Sequence, residues 1–71
     1  MTLRIKLDAG EHRAVSDGGR QIDYVSNAGP GVVLIEGRTV RPGSGWSPDG
    51  WRATTVIVST MADDHAELEV R

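Results

Sequence analysis

Turn-forming residues punctuate this chain so densely that no long element fits between them. Asp-Gly-Gly stands within Ser16–Arg20, Asn-Ala-Gly-Pro-Gly at Asn27–Gly31 and Glu-Gly at Glu36–Gly37. Arg-Pro-Gly-Ser-Gly follows at Arg41–Gly45, Ser-Pro-Asp-Gly at Ser47–Gly50 and Ala-Asp-Asp-His at Ala62–His65. Glycine accepts the positive φ of tight turns, and Pro-Asp suits the centre of a type I turn with Gly50 in the left-handed position after it. Asp-Gly-Gly predicts a hairpin, Glu36–Gly37 a two-residue turn between Ile35 and Arg38, and Ala62–His65 the last hairpin. Asn27–Gly31 predicts a wider corner. The segments left over are strand-sized, about four to eight residues each.

Those segments alternate with a period of two. Leu3, Ile5 and Leu7 share one face against Arg4, Lys6 and Asp8. In Arg20–Asn27 the alternation sets Ile22, Tyr24 and Ser26 against Asp23 and Val25. Val32–Ile35 is a continuous β-branched and apolar run bounded by glycines, the pattern of a central strand covered on both faces. Val56, Val58 and Thr60 oppose Thr55, Ile57 and Ser59, and Ala66, Leu68 and Val70 face in while Glu67, Glu69 and Arg71 face out. No helical period competes. The predicted fold is all-β: residues 1–71 as one domain, a small antiparallel β-sandwich or jelly-roll-like barrel of about six to eight short strands.

At 71 residues the chain buries about 60% of its unfolded surface, so its core is marginal. Cysteine is absent, which removes disulfides, thiolate chemistry and cysteine-bound zinc together, and phenylalanine is absent too. The core must be built of Val, Ile, Leu and Ala plus whatever the tryptophans add. Association is the remedy left to a small domain without disulfide or metal, which predicts a homo-oligomer. Net charge is −2 with acids and bases interspersed, so the basic footprint of nucleic-acid binding is missing. No apolar run approaches the roughly 20 residues of a membrane span, and the N-terminus alternates apolar and charged residues rather than presenting a leader. These features predict a soluble protein made in the cytoplasm.

Chemistry-bearing clusters are few. Asp63, Asp64 and His65, with His12 elsewhere, offer oxygen and nitrogen donors, but zinc and calcium sites need more ligands at other spacings. A solvated turn, in which the Asp side chains bond nearby amides, accounts for the cluster without metal. His12, Ser16 and Asp17 lie near one another in sequence without a nucleophile elbow, and the glycine runs extend into no phosphate-binding motif. The chain is therefore expected not to be an enzyme and to need no cofactor or metal. Arg38, Arg41 and Arg52 surround Trp46 and Trp51. Sugar stacking on the two rings is one reading of this group, a core role a second, and a protein interface rich in Trp and Arg a third. We expect one ring to pack in the core, on Val40 and Val56, and the other to bind, which makes Arg38, Arg41, Trp46, Trp51 and Arg52 the candidate partner-binding set.

From Ile22 onward the order of pieces resembles a group of small tailed-bacteriophage virion proteins of the capsid decoration or cement type. The matching pieces are Asn27, Gly29, Val32–Ile35, Gly37, Val40, Pro42–Gly43 and the closing runs Thr54–Met61 and Glu67–Val70. The likeness covers about the last 50 residues; the first strands have no counterpart, and Val32–Ile35 lacks the aromatic residue expected there. It implies a viral structural protein that binds the major capsid protein or another virion protein as an oligomer, a trimer by preference, in a virion assembled in the host cytoplasm. It transfers no site residues. A small inhibitor or adaptor and a carbohydrate-binding β-module using Trp46 and Trp51 are the alternatives.

Overall fold

Strands form where the period-two runs lie. The computed structural model describes residues 2–71 and is all-β, with no helix among them. In chain order the strands are β1 (Leu3–Leu7), β2 (His12–Ser16), β3 (Val25–Pro30), β4 (Val33–Ile35), β5 (Arg38–Val40), β6 (Gly45–Trp46), β7 (Thr55–Thr60) and β8 (Ala66–Val70). They make two antiparallel four-stranded sheets, ordered β1-β8-β3-β6 and β2-β7-β4-β5. β4 and β5 form a hairpin within one sheet, with Ile35 opposite Arg38 across Glu36–Gly37. The short connections β1–β2, β3–β4, β5–β6 and β7–β8 each cross from one sheet to the other. The result is a β-sandwich closed on one side by β1 and β2 and on the other by β5 and β6.

Two expected hairpins are therefore inter-sheet arches. Gly18 and Gly19 have positive φ as the Asp-Gly-Gly signal requires, yet β2 pairs with β7 while β3 pairs with β8 and β6. Ala62–His65 likewise joins β7 of one sheet to β8 of the other. Turn residues supply a reversal of direction but not the partner; here the strands they join lie in opposite sheets. The Asn27–Gly31 corner is corrected too. It is the bulged end of β3, with the register shifting between Asn27 and Gly29 and a cis Gly29–Pro30 peptide.

Alternation holds in β1, β7 and β8 and fails before β3. Ile22 and Val25 are buried while Tyr24 is exposed, the reverse of the expected phase at Tyr24 and Val25. Ile22 makes a lone bridge to Ala53, and the Asp23 and Tyr24 amides both donate to the Arg71 carbonyl. The backbone pivots there, so β3 starts in a new phase.

One aliphatic cluster forms the core: Leu7, Val15, Ile22, Val25, Val33, Ile35, Val40, Val56, Val58, Leu68 and Val70, with Ala53, Ala66 and Trp46. Two polar side chains are buried with it. Asn27 donates to the carbonyls of Gly31 and Val40, both at 2.9 Å, and accepts from the Gly29 amide at 2.8 Å. Thr60 donates to the Asp8 carbonyl and accepts from the Glu11 amide, pinning the β1–β2 arch to β7. The accessible surface is 4320 Å². A compact monomer of this mass exposes about 4,300 Å², so the sandwich is as compact as single chains of its size.

The two outer faces differ. Arg4, Lys6, Glu67, Glu69 and Arg71 charge the outside of the first sheet, where Arg4 pairs with Glu69 at 2.9 Å and Glu67 at 3.5 Å. The outside of the second sheet carries His12, Ala14, Ser16, Leu34, Thr39, Thr55, Ile57 and Ser59, with the Glu36 carboxylate accepting the Ile57 amide at 3.3 Å where β4 ends.

Candidate functional site

The chain's three aromatic side chains, Tyr24, Trp46 and Trp51, gather around the two-residue edge strand β6. Trp46 stands opposite Val25 and points into the core at 6% exposure. Trp51, on the loop that leads from β6 to β7, is 47% exposed. The rings meet edge to face with centroids 6.0 Å apart and planes at 67°. This geometry sets the positive rim of one ring against the negative face of the other, which orients Trp51 without burying it.

Tyr24 lies on the outer face of the same strand. Gly45 lets it do so: any side chain at position 45 overlaps the Tyr24 ring. An aromatic ring laid over a glycine of an edge strand covers backbone that the glycine leaves bare. Arg71, the residue after β8, holds its guanidinium 5.9 Å from the Tyr24 ring centroid, within cation–π range. Tyr24 remains 38% exposed. Sequence reasoning placed Tyr24 inside. The signal that would have found it is the glycine at position 45, beside a tryptophan and one strand away.

The predicted cations divide. Arg52 follows Trp51 directly and is exposed. Arg41 begins the corner from β5 to β6, where its carbonyl accepts the Ser44 amide at 2.9 Å. Asn27 holds this corner from beneath through the Val40 carbonyl, and the Gly43 amide donates to the Asn27 carbonyl. Arg38 is at the far end of β5, three residues from Arg41 and so about 10 Å away. None of the three takes part in an ion pair among the described residues. The fold thus sets Trp51 and Arg52 on the loop after β6, with Trp46 below Trp51, and places Arg41 at the β5–β6 corner and Arg38 at the start of β5.

The other sequence candidates remain scattered. Among the described residues, no group of three or more His, Asp or Glu side chains is placed to hold a metal ion. His12 and Ser16 sit at opposite ends of β2, on its exposed side. A shallow groove of about 270 Å³ lies where the end of β1, the β3 bulge and the start of β8 meet, lined among others by Lys6, Asp8, Pro30, His65 and Glu67. It is at the opposite end of β3 from Trp46, and its lysine and carboxylates are all at the surface. Comparisons with protein-family models, with curated proteins and with solved structures return no match.

Proposed function

We propose that this chain is a non-enzymatic binding module of the virion decoration or cement type, which attaches to a capsid or other virion protein as an oligomer. The observation that carries the reading is the convergence of the aromatic residues on β6, with Trp51 exposed and propped by Trp46 and with exposed Arg52 next to it in the chain. Trp, Tyr and Arg are the residues that dominate interface energetics when they are presented on a rigid frame. The frame here is a two-sheet sandwich with no helix among the described residues. A trimer is the preferred count, because three copies around a three-fold axis of a shell bring three such surfaces together. The virion assignment itself rests on the resemblance of residues 22–71 to small tailed-phage structural proteins.

The test is binding to purified shells of a tailed phage whose genome encodes this sequence. Saturable binding at a symmetric copy number, lost in Trp51→Ala with Arg52→Ala, is the expected result. Absence of the chain from particles, together with one-to-one copurification with a single host enzyme, would overturn it in favour of an inhibitor. An exposed indole also serves as a sugar platform. Quenching of Trp51 fluorescence by soluble glycans, with no shell binding, would establish that reading instead.

A further inference from the structure

Four strands end the two sheets, and three of them are closed to a further strand. β5 and β6 are only three and two residues long. β2 has five residues, but Arg13 lies opposite buried Val58, on the inward side of the strand, and is ion-paired there with Glu11. Inward charge on an edge strand is a known defence against strand addition. β1 has none of these protections. It is five residues long, and its outer row of backbone groups has no partner among the described residues. Its inward side chains Leu3 and Ile5 are only half-buried, whereas the inward aliphatics of the other strands are at most 4% exposed.

The inner neighbour of β1 shows what this edge accepts. β8, Ala-Glu-Leu-Glu-Val, sets Val70, Leu68 and Ala66 beside Leu3, Ile5 and Leu7, and sets Glu69 and Glu67 beside Arg4 and Lys6. A strand added on the outer edge meets the same alternation. Its inward residues cover Leu3 and Ile5, and its outward residues lie against Arg4 and Lys6. A second copy of β1 suits this edge badly. The two-fold antiparallel registers that cover both Leu3 and Ile5 set one of Arg4 and Lys6 against the other or against itself, and like charges directly opposite destabilise a sheet.

We infer that β1 is a docking edge for an extended segment of a partner protein in which apolar and acidic residues alternate. The main-chain ladder gives such strand addition its affinity, and the alternating side chains give it specificity. The inference is independent of the virion reading, since it names the chemistry of the segment and not its source.

The full chain, titrated by NMR with a capped peptide of sequence Ala-Glu-Leu-Glu-Val-Glu, tests it. A control peptide carries lysine in place of each glutamate. Shift changes should be confined to β1 and β8, and the alternate β1 amides that face away from β8 should gain exchange protection. The acidic peptide should bind about tenfold more tightly than the basic one, since cross-strand charge pairs change sign between them. Lys6→Gln should weaken that preference while leaving the thermal midpoint nearly unchanged, since it sets no like charge against Glu67. Failure of the acidic peptide to bind, equal binding of both, shifts centred elsewhere, or loss of β3–β8 protection through displacement of β8 would each overturn the inference. So would a dimer of the free chain joined through β1.

Discussion

At Asn27 the side-chain amide has three of its four hydrogen-bonding positions occupied, by the carbonyls of Gly31 and Val40 and the amide of Gly29, at 1% exposure. One residue thus ties the β3 bulge both to its own exit and to the β5–β6 corner that presents Arg41. Asn27→Ala leaves a buried donor and two buried acceptors unpaired, at about 1–3 kcal/mol for each group that water fails to reach. We expect a loss of about 3 kcal/mol in urea unfolding, a large share of the roughly 4–11 kcal/mol available to a domain of this length. Asn27→Asp has a signature of its own. A carboxylate there faces two carbonyls, so its folded pKa is raised above the unfolded one. The variant is then least destabilised below the unfolded pKa and loses further stability as pH rises through the folded pKa. A pH-independent deficit would disprove the hydrogen-bond assignment. The sequence marked Asn27 as a turn residue and no more, because its three partners lie two, four and thirteen positions away and meet only after both sheets form.

Among the elements, the β4–β5 hairpin was legible in detail, because a two-residue turn fixes its own register. Glu36 and Gly37 have φ of 50° and 80°, the left-handed pair of a type I′ turn. No atom lies near the space a Gly37 side chain takes, so Gly37→Ala tests the backbone term alone. It should cost about 1–2 kcal/mol, read from chemical denaturation, with unchanged near-ultraviolet dichroism. The arches were not legible. Asp-Gly-Gly and Ala-Asp-Asp-His reverse the chain whether the next strand pairs beside the last or packs over it, and that choice belongs to the core. The β1–β2 arch adds a pH dependence. The Glu11 carboxyl is held below the usual carboxylate range, chiefly by the Asp8 amide that donates to it, which outweighs an opposing desolvation, and further by Arg13. A depressed folded pKa contributes stability that is present above the unfolded carboxylate pKa and is lost as pH falls through the folded value. Glu11→Gln should therefore lower the thermal midpoint near neutrality and converge with the parent chain in strong acid. Parallel melting curves across the acid limb would show that the charge of Glu11 contributes nothing.

For the molecule as a whole, composition correctly limited the core to aliphatic residues with tryptophan, and it raised association as the answer to small size. The surface is that of a compact monomer of this length, whose core is still marginal, so the argument for association from size stands. The two tryptophans separate these ideas experimentally. Trp46 is a core residue, and Trp46→Ala should cost about 3–5 kcal/mol. Trp51 contributes to the fold mainly through its edge contact with Trp46, so Trp51→Ala should cost about 0.5–1.5 kcal/mol. If the exposed ring holds copies together, light scattering over a dilution series should give the parent chain a mass above the 7.6 kDa of one copy. Trp51→Ala should then return it to the single-copy mass, with a smaller drop in thermal midpoint than Trp46→Ala causes. A parent chain that scatters as one copy at every concentration would remove Trp51 from self-association and leave it as a contact to the partner alone. An oligomer that survives Trp51→Ala would place the interface elsewhere, with the sparsely charged outer face around Leu34 and Ile57 the next surface to mutate.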